Sequence, residues 1–537
     1  MIRRFWRDHP YLGAFAFSSL VLTIYCALLY LTGGRAEWQK WYAQVPLFIY
    51  SLAWLSVLAI GLAKRLMALE WAPLAVARTV VDEALRMKIA VVFVVALLVW
   101  LAAMPFLVEA GTSPLRYRIQ LLIQYGLTAT GTLLSLMTVF LACGTLSLEI
   151  QDQRIFTTLS KPISRWQYLL GKWLGLLMLN TALMVVAGSA IFASVWYMSR
   201  QPAMDIYDRV VVNQEVLTAR VSVAPKPPER EFESQVRARI EKLKVQAPKQ
   251  YGETREDQRK AERQIREELE KQWWSVPPQG SRTYVFKGLK EAKRRNVPVQ
   301  IRMKLLYIGK FSEINQQQGQ RVWRKFQVNG RELPPEEIVL GRFRNLIVPP
   351  ELIDDNGEVR MTLLNNDPLK RDRAKNITLL FVHEIGLEAL YQADSFAANY
   401  WRGVAMLWVK LAFLAALGLT TATFLGFPVA CLVSMVILVA AWLSGYLLGE
   451  IDRYGIDFES TGAKGLALIV RMVVSSVASL LQQYSRFVPG PQVADGRLVP
   501  WSELLACVGW IGVVWCGLTG FVGGVIFRIR EVGRVQV

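Results

Sequence analysis

Runs of about 20 apolar residues recur along this chain, and about 20 is the length of helix that crosses ~30 Å of hydrocarbon. In lipid a backbone must satisfy its own hydrogen bonds, so each run reads as a membrane-spanning helix. The runs are Tyr11–Leu31, Val45–Leu62, Ile89–Leu107, Tyr125–Leu146, Trp173–Met198, Gly403–Leu425, Val429–Leu448 and Leu504–Phe527. The first follows Arg3, Arg4 and Arg7, is long for a signal-peptide core and has no small-residue cleavage site after it. It is therefore expected to be retained. The chain reads as a polytopic α-helical membrane protein of about eight transmembrane helices.

Between the fifth and sixth runs the apolar signal stops, and residues 201–396 form a polar region. The formal net charge of the chain is +19. A basic balance can mark a nucleic-acid binder. Here much of the charge flanks the apolar runs: Lys64, Arg65, Arg78, Arg86, Lys88, Arg154, Lys161, Arg165 and the C-terminal Arg528, Arg530 and Arg534. Eight spans put all of these, with both termini, on one side, which the positive-inside rule makes the cytoplasm. The expectation is an inner (plasma) membrane protein with residues 201–396 extracytoplasmic and no nucleic-acid partner. All five cysteines (Cys26, Cys143, Cys431, Cys507, Cys516) fall in apolar runs, so the polar region has no disulfide framework or CxxC metal site.

That region has two textures. Glu229–Trp274 is charge-dense and helical in pattern, with Thr254 and Asp257 as a capping box. After Pro277 the period becomes two: Val299, Ile301, Met303 and Leu305 alternate with polar residues, as do Val359, Met361 and Leu363, and Asn376–Val382 is a further strand candidate. Asn329-Gly330 and Asp355-Asn356-Gly357 are turn signals between such strands. An α+β domain is expected, with a sandwich-like β part and a helical insertion.

Three features stand beside the spans. Pro73–Lys88 is amphipathic, with Arg78, Asp82, Glu83 and Arg86 on one arc and Val76, Val80, Val81, Leu85 and Met87 on the other. It reads as a helix in the interface plane, or alternatively as the polar end of the next span. Gly465–Leu481, interrupted by Arg471, is expected to be an external re-entrant segment rather than a ninth span. Lys410 sits inside the sixth run, a functional-site hypothesis set against a lysine that snorkels outward or a span that starts later.

Catalytic signatures are not found. His9 and His383 have no second ligand at metal spacing, there is no GxSxG, and Gly171-Lys172 lacks the rest of a phosphate loop. No catalytic residue, cofactor or metal is expected.

The segment Glu149–Gly175 reads EIQDQRIFTTLSKPISRWQYLLGKWLG: a helix exit, a polar turn, a Ser-Lys-Pro break and a basic re-entry. Lys161-Pro162 should end one short helix, since proline cannot continue it. An ordinary cytoplasmic loop has the same composition. The stretch from Leu159 to Lys172 resembles the loop between the second and third core helices of ABC-2 type ATP-binding-cassette permeases. Arg154-Ile155-Phe156-Thr157 stands where that family often has Gly-Thr. Pro73–Lys88 is similar to the family's connector helix, Phe527–Glu531 to its C-terminal ending, and Arg486–Trp501 to its external elements before the last span. Related members of the broad group described as acting in multicopper enzyme maturation also carry additions to the six-helix core.

The resemblance implies a permease subunit of an exporter, non-catalytic, paired with a second permease as homodimer or heterodimer above a separate ATPase. Residues 1–72 would be added helices, 73–200 the first half of the core with coupling loop 149–165, and 397–537 the second half with external segment 465–500. Glu149 and Asp152 would meet basic ATPase residues, and Arg154, Lys161 and Arg165, around Pro162, acidic ones. Simple interfacial anchoring is their other role. The rival function is a membrane-anchored assembly or scaffold protein working through its β domain.

Overall fold

A computed structural model of the chain describes residues 37–67, 71–109, 113–154, 163–247, 251, 255–308, 321–366, 378–382, 386–454 and 482–529. The expected first span, His9, His383, Cys26, Thr254, Lys161, Pro162, Arg530, Arg534 and Gly465–Leu481 lie outside them. The described chain divides into two units, residues 1–217 with 396–537 and residues 218–395.

Unit 1 is helical, and among the described residues seven helices are long and apolar enough to cross a membrane. The chain is a polytopic membrane protein. In order, α1 is Glu37–Leu66, α2 Ala72–Arg86, α3 Lys88–Glu109, α4 Leu115–Gln151 and α5 Arg165–Ser199. Three of these start earlier than apolarity alone indicates. The α1 helix takes in Glu37–Gln44, ahead of the apolar run that begins at Val45, because good helix formers such as Glu37, Gln39 and Lys40 continue it beyond that run. The α4 helix takes in Leu115–Gln124 from the expected 108–124 connection. Its first amides are bonded by the Asp208 carboxylate, which accepts from Leu115 N at 2.7 Å and Arg116 N at 3.2 Å. That carboxylate replaces the missing cap, since the preceding Pro114 has no cap side chain. The α5 helix begins at Arg165 rather than Trp173 because Ser164 and Gln167 close a reciprocal capping box.

Asp208 also moves the domain boundary. Residues 201–217, expected in the polar domain, belong to unit 1, and Val212 and Val216 are buried in its core.

Unit 2 begins with β1 (Thr218–Val223), followed by two charged helices, α6 (Glu229–Gln246) and α7 (Arg255–Trp274). Arg266 pairs with Glu233 at 2.6 Å, tying α7 to α6. The strands β2 (Ser275–Val276), β3 (Ser281–Phe286), β4 (Val299–Ile308), β5 (Arg321–Val328), β6 (Arg331–Glu332), β7 (Glu336–Val339), β8 (Phe343–Val348), β9 (Val359–Leu364), β10 (Thr378–Phe381) and β11 (Leu387–Ser395) complete it. They form two antiparallel sheets, β1-β11-β4-β10-β2 with β8 beside β4, and β3-β9-β5-β6 with β7 beside β5. The period-two pattern is realised: Val299, Ile301, Met303 and Leu305 of one sheet and Val359, Met361 and Leu363 of the other share one buried core. The β5–β6 hairpin turns at Asn329 and Gly330, at φ 46° and 84°. This left-handed pair is the geometry that favours Asn-Gly. Met303→Ala is expected to cost about 2–5 kcal/mol, since the side chain is fully buried. Hydrogen exchange of β4 amides in the full chain under a urea series would read this as faster exchange.

The chain re-enters unit 1 as α8 (Phe396–Ala422), α9 (Phe427–Tyr454) and α10 (Trp501–Ile529), the last π-helical over Val508–Trp515. Helix α8 is the hub, with Trp173 Nε1 donating to Ala412 O at 2.9 Å and Trp408 Nε1 donating to Thr181 Oγ1 at 2.8 Å.

Candidate functional site: a buried lysine clamp at the connector helix

Helix α2 starts after an extended Trp71 with a proline in its first turn, and Met87, extended at ψ 122°, separates it from α3. It is a distinct helix, not the end of the next span. Pro73, Val76, Ala77, Val80, Val81 and Ala84 are buried, a stripe at i, i+3, i+4 spacing. Leu85, placed above on the apolar arc, is 39% exposed. The stripe packs on α5 at two glycines. A Cβ on Gly171 would stand 2.6 Å from Pro73 O and from Val76 Cβ, and one on Gly175 2.7 Å from Ala77 O. Only glycine permits helix axes this close.

Beside this contact lies Lys172, 1% exposed. Its Nζ donates to Glu149 Oε1 at 2.6 Å, Thr145 O at 3.0 Å and Glu83 Oε2 at 3.1 Å. All three donors of the ammonium are used. The Tyr168 hydroxyl donates to the other Glu149 oxygen, and Lys172 Nζ lies 5.7 Å from the Tyr168 ring centroid. Burial pushes the Glu83 carboxyl above its ordinary value, the Lys172 ammonium pulls against that shift, and the Glu149 carboxylate adds to it. One cation thus joins the connector helix α2, the end of α4 and the start of α5.

The same face of α5 reaches α10. Arg165 Nη1 donates to Phe527 O at 2.8 Å and Arg528 O at 3.0 Å, capping the carbonyl end of α10 where a cation is favoured. Tyr168 stacks on Phe527 at 6.1 Å. Lys64 at the end of α1 pairs with Asp82 of α2. Four helix ends, of α1, α4, α5 and α10, are therefore bonded around α2 and the first turns of α5. Tyr168→Phe leaves Glu149 without one donor and is expected to lower stability by about 1.5–3 kcal/mol, read by thermal unfolding in detergent.

The sequence-derived residues divide. Glu149 is turned into the bundle by Lys172 and Tyr168, and Arg165 caps α10. Asp152 and Arg154 pair with each other at 3.2 Å on the surface, side chains 49% and 73% exposed. Gln153 between them has φ 58°, which ends α4 in a left-handed turn. Arg78 and Arg86 are exposed on the outer face of α2. Lys161 and Pro162 lie outside the described residues.

Sequence reasoning missed Glu83 as a partner and gave no role of their own to Tyr168 and Lys172, which entered only within the resembling stretch and, for Lys172, as part of a failed phosphate loop. The missing signal was the helix start: with α5 opening at Arg165, Lys172 lies two turns inside a helix rather than at the edge of the Trp173–Met198 run, and a lysine there is costly unless paired.

Lys410 lies within Phe396–Ala422, one of the seven described helices long and apolar enough to cross a membrane. It sits near the middle of α8 and is 8% exposed; a cation at the centre of a membrane-spanning helix costs about 2.5–3.5 kcal/mol on insertion scales. Among the described residues no group of three or more His, Cys, Asp or Glu is placed to hold a metal. No protein-family profile, curated protein or solved structure matches the chain.

Proposed function

We propose that this chain is the membrane-spanning permease subunit of an ABC-2 type exporter. It pairs with a second permease, homologous or identical, and takes its energy from a separate ATPase. What carries the reading is the Lys172 clamp. A transmission element must move as one body and must reach several spans, and the clamp bonds an amphipathic connector helix to two helix ends flanking the resembling loop. A ligand or partner shifts such a body only by binding its two positions differently. The exposed Asp152–Arg154 pair and the outer face of α2, with Arg78 and Arg86, are the surface offered to the ATPase. In this reading that surface is cytoplasmic, the membrane is the cell's inner membrane, unit 2 is extracytoplasmic, residues 11–31 supply an eighth span, and the chain is not itself an enzyme.

The test is a pull-down of detergent-solubilised protein with ATPase activity assayed on the eluate. The control is the double reversal Asp152→Arg with Arg154→Glu, which keeps an intrachain pair but inverts its polarity toward a partner. Co-purified ATPase activity that the reversal reduces at least tenfold is the expected result. Recovery with partners of unit 2 and no nucleotide hydrolysis would favour the scaffold function.

A further inference from the structure

Lys410 lines a cavity of about 360 Å³ in unit 1, within the size range of small-molecule sites. The side chain is 8% exposed. Its Nζ lies 4.5 Å from the Tyr484 ring centroid, and among the described residues it has no carboxylate partner. This sets it apart from Lys172, whose ammonium is fully bonded within the chain. Thr128, Thr132, Ser135 and Ser485 bring hydroxyls to the cavity. No partner is found among the described residues for the Thr128 or Thr132 hydroxyl. The rest of the wall is apolar, with Leu127, Leu407, Trp442 and Val488. Trp442 and Val488 are also partly exposed, which puts them on its open side.

A buried cation is normally paired. A neutral ligand would leave the ammonium unpaired, and a dianion would bring one charge too many for a single lysine. A ligand without an apolar body would leave the Leu127, Leu407 and Trp442 wall wet. We propose that this cavity binds an amphipathic monoanion, its acidic head on Lys410 Nζ and its apolar body along Leu407, Trp442 and Val488. The inference concerns binding alone, and it holds or fails whether or not an ATPase docks on the chain. The head group has two sources, a free carboxylate and a membrane phospholipid with one negative charge.

The probe is 11-(dansylamino)undecanoate, titrated by fluorescence into the purified full chain in a neutral maltoside detergent. Saturable binding is expected, weakened at least tenfold in Lys410→Met and kept within about threefold in Lys410→Arg, because a charge-assisted contact is lost in one and retained in the other. The corresponding neutral alcohol is expected to bind the native chain as weakly as the acid binds Lys410→Met. Thr132→Leu leaves the cation and fills the cavity, and it too should lose at least tenfold. It serves as the second variant if Lys410→Met does not fold. Displacement by phosphatidylglycerol but not phosphatidylcholine in mixed micelles assigns the site to a bilayer lipid, and displacement by neither assigns it to a free acid. Equal affinity of native chain, Lys410→Met and Thr132→Leu, or equal binding of acid and alcohol to the native chain, would overturn the proposal.

Discussion

Lys172→Met is expected to destabilise unit 1 by about 3–5 kcal/mol, because it strands two carboxylates that the lysine alone holds together. Glu83 and Glu149 would face each other across the junction without their shared cation. The loss should depend on pH. Burial already holds Glu83 above its ordinary value against the pull of Lys172. An acid raised in the folded state binds a proton on folding, so its contribution is largest below its unfolded value and is lost as pH rises through its folded value. Removing the lysine lifts the folded value further. The deficit of Lys172→Met should therefore widen as pH rises from below the ordinary glutamate range through the raised folded value of Glu83. Thermal unfolding in detergent across that range measures it. The triple variant Lys172→Met, Glu83→Gln, Glu149→Gln removes charge and counter-charge together and should recover most of the stability. A single variant as stable as the native chain at pH 8 would show that the clamp is not formed.

The second large effect has a sign that decides the packing of α2. In a helix, glycine to alanine ordinarily stabilises by about 0.5–1 kcal/mol. At Gly61, where nothing lies within 4 Å of the added atom, that gain is expected. At Gly171 and Gly175 the added atom meets the α2 backbone at 2.6 Å and 2.7 Å. A backbone cannot step aside as a side chain can, so each alanine should cost about 1–3 kcal/mol and valine more. The double variant Gly171→Val, Gly175→Val should detach α2 from α5 and abolish any ATPase coupling while leaving unit 2 folded. The unfolding midpoint, with hydrogen exchange over Pro73–Arg86, reports both. Stabilisation by Gly175→Ala would place α2 elsewhere.

Much of this architecture was legible in the sequence, for physical reasons that also mark where legibility ends. Apolar length located the seven described spans because lipid imposes it, and the period-two alternation of Val299–Leu305 gave the buried face of β4. Helix starts were less legible. Arg165 and Leu115 open their helices through a capping box and through Asp208, and the second of these acts from a residue distant in the chain. The buried stripe of α2 was read one position off at Leu85, because periodicity fixes a face while the partner helix fixes its centre. The candidate site was half legible. Glu149 and Arg165 were singled out by position, yet fold topology turns both inward, toward Lys172 and α10. Lys172 looked like part of an unfinished motif because its two carboxylates come from other helices. Lys410 was recognised from cost alone, and its orientation into a cavity became visible only with α4, α9 and Tyr484 in place.

The proposed permease function requires an ATPase to dock on the end of unit 1 that carries the clamp. Photocrosslinking in the native cell tests it most directly. A benzoylphenylalanine is placed at Arg154, at Arg86 on the outer face of α2, or at the exposed Tyr207 of the short helix Ile206–Val211 as a control. The account predicts that positions 154 and 86 capture one and the same polypeptide, that it carries a GxxxxGK[ST] phosphate loop, and that position 207 does not capture it. Capture of that polypeptide at 207 but not at 154 or 86, or a partner at 154 and 86 without a phosphate loop, would contradict it.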